Sequence, residues 1–243
     1  MTEGRSNKIV AAAIFVVMLG IYLRTVAPTL SFWDCGEFIT CSYIMGIPHP
    51  PGSPLLSLIG RVMSFIPFPD LRGLGSQEIA YRVNLLDVVL GALTVMLTYL
   101  IMVRLIRRFR PSNGSKLEAA AVMFSAAVAA FMVAFADEFW NNAIETETYM
   151  PSIFLSMLAV WLTLNWEKRK HEPRAVLYLY LAAYLIGMGN GIHLSVLLIA
   201  PTVFLMVVTS RPDWFASMKL WVSLVVIGAV MAGVILFTGH EVF

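Results

Sequence analysis

Charge is what this sequence has least of. Lys, Arg, Asp and Glu together make up 13% of its 243 residues, where a soluble domain carries about a quarter, and so sparse a supply excludes a charged, water-facing surface around a soluble core. Cysteine is nearly absent too. Cys35 and Cys41 are too few for a disulfide framework and, on a helix, point away from each other, so no bond between them is expected. There is no glycine-rich phosphate loop, no metal-ligand spacing motif, no repeat and no low-complexity tract. Neither a cofactor nor a bound metal is therefore expected. The net charge of +2 carries no message about partners, because the charges are segregated along the chain rather than pooled.

What the sequence has in abundance is apolar length: hydrophobic residues make up 59% of it. Seven runs are long enough to span a bilayer, at 8–27, 84–103, 118–137, 148–166, 174–189, 191–209 and 219–238, given the need for about 20 residues per crossing. The predicted fold class is an all-α polytopic membrane protein, one module over residues 1–243. The first run lacks a small-x-small cleavage site before Pro28 and reads as a retained helix rather than a secretory signal. The runs at 174–189 and 191–209 read as a hydrophobic hairpin broken at Gly187, Gly189, Asn190 and Gly191.

Basic residues alternate by connection. Arg5 and Lys8 precede the first run; Arg104, Arg107, Arg108, Arg110 and Lys116 fill the second connection, and Lys168, Arg169, Lys170 and Arg174 the fourth. The third connection holds Asp137, Glu138, Glu145 and Glu147 with no Lys or Arg. Because Lys and Arg are retained on the cytoplasmic side of short loops, the N-terminus is expected in the cytoplasm and Phe243 outside. The arginine run at 104–110 is this orientation signal and not a nucleic-acid surface.

The first connection, about residues 28–83, faces outward on this reading and is too apolar for disorder. Short helices are expected over about 35–46 and between Pro54 and Pro67, the second interfacial or re-entrant. Within it, Trp33-Asp34-Cys35-Gly36-Glu37-Phe38 and Pro48-His49-Pro50-Pro51-Gly52-Ser53-Pro54 place acids and a stiff turn just beyond a membrane span. A carboxylate at the water–lipid boundary is partly desolvated, which raises its proton affinity and suits it to act as a base. Asp34 is the candidate base, and a helix cap before Gly36 is its alternative role. Glu37, one turn on, is expected on the same face as Asp34, where the two carboxylates raise each other's proton affinity, with pairing to an arginine as its alternative. Prolines around His49 fix the direction of its imidazole, which suits it to bind a ligand, to shuttle a proton or simply to fill the turn. Arg24 and Arg82 stand near helix ends where a guanidinium holds a phosphate or snorkels to headgroups. Asp87 is either functional or the ion-pair partner of Arg82. In the third connection Glu145 and Glu147, beside Trp140 and Tyr149, suit substrate contacts through hydrogen bonds and stacking, and His193 follows the glycine-rich turn on the same side.

Taken together these stretches resemble the N-terminal membrane module of the family 117 glycosyltransferases, GT-C-type enzymes related to transmembrane protein O-mannosyltransferases. The resemblance rests on the two first-loop segments just quoted, on Tyr81-Arg82-Val83-Asn84-Leu85-Leu86, on Phe139-Trp140 with Glu145-Thr146-Glu147-Thr148-Tyr149, and on Gly187-Met188-Gly189-Asn190-Gly191-Ile192-His193-Leu194, between about residues 20 and 201. It implies transfer of a sugar from a polyprenyl-phosphate-linked donor to a hydroxyl acceptor, such as a protein Ser or Thr, with inversion. Asp34 corresponds to the family's first-loop aspartate, which deprotonates the acceptor. The resemblance also implies independence of metals. Cys35 departs from the family's usual small residue. Members are generally much longer, so the chain is expected to be a fragment or a minimal version. A proton-coupled transporter and a non-catalytic assembly subunit are the competing readings. The compact chain, with no Asn-x-Ser/Thr in its outer loops, points to a bacterial inner membrane and a periplasmic site.

Overall fold

A computed structural model describes residues 2–50, 52–67, 79–110 and 115–216. Among them every regular element is helical: α1 (Thr2–Thr25), α2 (Cys35–Ile44), α3 (Pro54–Phe65), α4 (Ile79–Phe109), α5 (Lys116–Ala134), α6 (Asp137–Ile144), α7 (Tyr149–Arg169), α8 (Val176–Gly189), a 3-10 segment (Leu194–Ile199), α9 (Ala200–Ser210) and a 3-10 turn (Pro212–Phe215). Among the described residues four helices, α1, α4, α5 and α7, are long and apolar enough to cross a membrane. The protein is an integral membrane protein. The expected spans at 174–189 and 191–209 are helical but shorter, as Val176–Gly189 and Leu194–Ser210; the expected span at 219–238 lies outside the described residues.

The chain divides into two compact units, Met1–Ala200 and Pro201–Phe243. At the centre of the first unit stands α4, with 31 residues, about 45 Å long at 1.5 Å per residue. Its buried side, with Val88, Ala92, Val95 and Tyr99, meets a stripe on α1 of Ala11, Ile14, Met18 and Tyr22, spaced to fall on one helical face. On α5 the buried residues Val122, Ala126, Ala130 and Ala134 recur every fourth position, a small-residue seam that lets helices approach closely where lipid offers no hydrophobic driving force. Hydrogen bonds fasten the ends of α1, with the Tyr22 hydroxyl donating to the Ala134 carbonyl at 2.9 Å and the Tyr99 hydroxyl to Asn7 Oδ1 at 2.8 Å.

Two boundaries differ from the sequence expectation. α4 begins at Ile79 and ends at Phe109, so Arg82 and the run from Arg104 to Arg108 belong to the helix rather than to connections; Arg and Leu are good helix formers, and long basic side chains carry their charge out to water. The third connection is itself mostly helix. Asp137 and Glu138 occupy the first turn of α6, where negative charge favours a helix start. The second unit is described as far as residue 216, and there Arg211 pairs with Asp213 at 2.8 Å while its guanidinium lies 4.6 Å over the Trp214 ring.

Candidate functional site

Three strained backbone positions among the described residues shape the first connection. Trp33 (φ 59°), Met45 (φ 57°) and Ser53 (φ 35°) all take left-handed conformations without being glycine, and such residues persist only where surrounding contacts hold them. Met45 closes α2 in the left-handed cap common at helix ends. Ser53 is buried, its hydroxyl donating to the Ile192 carbonyl at 2.7 Å, while Leu55 N–H donates to the Gly191 carbonyl at 2.7 Å. The start of α3 is thereby pinned to the glycine-rich turn. A side chain on Gly191 would come within 3.0 Å of Leu55 Cβ. Trp33, with its indole almost fully exposed, turns the chain so that Asp34 stands at the mouth of α2.

Asn84 joins these loops. Wholly buried in α4, its amide nitrogen donates to the carbonyls of Ala27 at 3.0 Å and Thr29 at 3.3 Å. Its Oδ1 accepts from the Thr146 N–H at 3.0 Å and the Thr146 hydroxyl at 2.7 Å. One amide thus ties the entrance of the first connection to the acidic stretch of the third, assisted by the Ala27 N–H donating to the Ile144 carbonyl at 2.9 Å. The sequence reading passed over Asn84 as a site residue; an amide inside an apolar helix was its signal.

Asp34, Glu145 and Glu147 consequently converge. With Trp33, Asn141 and Tyr149 they line a cavity of about 340 Å³. Asp34 occupies the cap position of α2 but makes no side-chain cap hydrogen bond, leaving its carboxylate, a little over half exposed, turned to solvent. Glu147 is the buried member. Loss of hydration, and then the negative charges of Asp34 and Glu145, push its carboxyl up to about 7.

Glu37 lies close to Asp34, as the helical spacing suggested, and it also holds His49. One carboxylate oxygen accepts from the His49 backbone N–H at 2.6 Å and the other meets Nδ1 at 2.9 Å. Nε2 then faces Asp34 Oδ2 at 4.0 Å. The bond between them shifts both groups toward their charged forms, His49 upward and Glu37 downward. Donor atoms of Asp34, Glu37 and His49 all lie within 4.8 Å of one another, close enough for one cation, though a cation there would have to displace the bonds Glu37 makes to His49.

The other expected residues lie apart from this cluster. Arg82 donates to the Ser64 carbonyl at the end of α3 at 3.1 Å. Arg24 is exposed in the last turn of α1. His193 caps the 3-10 segment, its Nδ1 accepting from the Ser195 N–H at 3.2 Å, and its ring lies 5.3 Å from that of Tyr149, so it touches the cavity through one of the cavity's wall residues. Asp87 is fully buried near Glu147, and no ion pair with Arg82 forms among the described residues. Cys35 and Cys41 are both buried free thiols. Beside the cluster an apolar cavity of about 500 Å³, lined by Leu30, Ile39, Tyr43, Ile79 and Ala80 among others, opens between α2 and α4.

Residues 34–215 match the family described as protein O-mannosyl-transferase TMEM260 N-terminal domain. The chain is similar to protein O-mannosyl-transferase tmem260 of Dictyostelium discoideum, at 24% identity over 223 residues that cover 87% of this chain and 25% of the relative. It is also similar to protein O-mannosyl-transferase TMEM260 of Mus musculus, at 32% identity over 96 residues covering 39% of this chain and 12% of the relative. The matched part therefore spans a quarter or less of these curated relatives. No solved structure matches the chain.

Proposed function

We propose, starting from a chain that belongs to the protein O-mannosyl-transferase TMEM260 N-terminal domain family, that it transfers a sugar from a polyprenyl-phosphate-linked donor to a protein Ser or Thr hydroxyl. The observation that carries the reading is the position of Asp34, uncapped and unpaired by lysine or arginine among the described residues, on a cavity with Glu147 and within 4.0 Å of the anchored His49. Asp34 accepts the hydroxyl proton as the acceptor oxygen attacks the anomeric carbon; the bond from that carbon to the phosphate oxygen breaks, the phosphate leaves with the electron pair, and the configuration inverts. General-base assistance of this kind contributes on the order of 100- to 10,000-fold. Glu147, protonated in part near neutral pH, donates a hydrogen bond to sugar or acceptor, with Glu145 and His193 at the edge of the same pocket. His49, whose positive form Glu37 favours, is the nearest cation for the phosphate, and Arg82 and Arg24 are the more distant ones. The apolar cavity between α2 and α4 offers the polyprenyl chain a way in from lipid.

The family 117 and GT-C assignments, and the full seven spans, belong to the same proposal. So does an acid-lined face on the non-cytoplasmic side. In a bacterial inner membrane that side is periplasmic, while for the two eukaryotic relatives it would be luminal. The test is transfer by purified protein from polyprenyl-phosphate mannose to a Ser/Thr peptide, comparing native protein with Asp34→Asn. Loss of transfer on the order of 100-fold or more, with unchanged unfolding temperature, supports the assignment. Near-native turnover in Asp34→Asn removes Asp34 as the base; solute counterflow in vesicles without transfer would make the protein a transporter instead.

A further inference from the structure

The far end of α4 carries a second polar site that sugar transfer does not use. Counting from Asn84 to Arg104, it lies about 30 Å along the helix from the acid cluster, which is about the hydrocarbon thickness of a bilayer. Two cavities of about 380 and 450 Å³ meet there between α4, α7 and the start of α1, and they share Arg104, Arg107 and Lys168 as walls. Lys8 also lines the second cavity, with Gly4, Asn7 and Asn165, and its apolar wall is made by Leu100, Val103 and Trp161. Arg108 and Glu167 line the first cavity and pair with each other at 2.8 Å. Lys8, Arg104, Arg107 and Lys168 thus line the cleft, and the one acid among its described lining residues, Glu167, is engaged by Arg108.

The cleft is fixed rather than adventitious. Arg104 Nη2 donates to the Leu164 carbonyl at 2.6 Å, setting the guanidinium against α7, and the hydrogen bond from Tyr99 to Asn7 holds the start of α1 alongside α4. Orientation alone requires basic residues on one side of a membrane; it does not require four of them to converge on a cavity with an apolar floor. A phosphate suits the cations, and the apolar wall below suits acyl chains, so a molecule carrying both is the complementary ligand.

We propose that this cleft binds the phosphate headgroup of an anionic phospholipid in the leaflet opposite the acid cluster. Basic pockets between spanning helices recognise such headgroups, and each nearby Lys or Arg strengthens the attraction several-fold. The assignment rests on the spanning helices and the charge arrangement, and stands whether or not sugar transfer is the activity.

Native mass spectrometry of delipidated protein, titrated with phosphatidylglycerol and with phosphatidylcholine, tests it. Native protein should retain phosphatidylglycerol in preference to phosphatidylcholine, and the double substitution Lys8→Gln with Lys168→Gln should weaken that retention on the order of 30-fold. Both lysines are exposed, so the pair should fold; Arg107→Gln is the second variant. Arg169→Gln with Arg174→Gln removes two charges from outside the cleft and should leave retention unchanged. Equal weakening by the two pairs, or no preference for the anionic lipid, would overturn the site and leave only the orientation signal. Displacement by millimolar inorganic phosphate, with no advantage for the acylated ligand, would make it a free-phosphate site and overturn the lipid assignment.

Discussion

Glu37 and His49 hold each other in the charged state, and that exchange sets a pH window for the loop they close. His49 has its affinity for a proton raised, so the stability its bond contributes is complete below the ordinary histidine value of 6.5 and is lost as pH rises through the higher folded value. For Glu37, shifted downward, the contribution is complete above the ordinary 4.5 and is lost as pH falls through the lower folded value. Glu37→Gln should return the His49 titration, followed by NMR of the imidazole, toward 6.5. An unmoved titration would mean the pair is not bonded in solution. Glu147 behaves in the opposite sense: with its carboxyl raised from 4.5 to about 7, the folded chain binds more protons than the unfolded one, so stability falls as pH rises between those values. Glu147→Gln should flatten that fall in thermal unfolding scans between pH 5 and pH 8; an unchanged slope would assign it to another group. The types of these residues were legible in the sequence, but their pairings were not. Spacing put Glu37 on Asp34's face, where the two carboxylates do lie close, but the bond that brings His49 back to Glu37 spans 12 residues, and no periodicity encodes that return.

Helices were the most legible level because apolar length and basic flanks announce them. α6 and the full extent of α4 were less so, since charged residues at helix ends resemble a connection when hydropathy alone is read. The contact that seats α6 was invisible from sequence: a Cβ built on Gly91 of α4 would stand 2.8 Å from Ala143 Cβ, so the two backbones approach as closely as a glycine permits. α6 in turn supplies Asn141 to the acid-lined cavity. Gly91→Ala should overpack this contact and cost about 1–3 kcal/mol of stability, and Ala143→Gly in the same chain should recover most of it, because neighbouring sites couple. Unfolding in a denaturant series on the four chains of this double-mutant cycle checks it. A neutral Gly91→Ala, or a swap without recovery, would show that α6 is free to shift.

At the scale of the molecule, α4 separates two chemistries, with carboxylates gathered near its first turns and guanidiniums near its last. About 30 Å of helix lies between Asn84 and Arg104, so in a membrane the acid-lined cavity and the basic cleft must emerge on opposite faces. The proposed orientation, from retention of Lys and Arg in the cytoplasm, has the acid-lined face outside. Exposed positions suited to thiol labelling exist on each side: Ile47 in the first connection and Asn141 in α6 at the acid end, Glu172 after α7 at the basic end. Cys35 and Cys41 are buried and free, and replacing both with serine clears the background for single reporters. In intact cells an impermeant maleimide should label Ile47→Cys and Asn141→Cys alike, and should reach Glu172→Cys only after permeabilisation. The reverse pattern would invert the molecule and turn the proposed catalytic face inward. Labelling Ile47→Cys and Asn141→Cys from opposite sides would go further, because the bonds from Asn84 to Ala27, Thr29 and Thr146 place both connections on one face, and the site those bonds assemble could not then exist in the membrane.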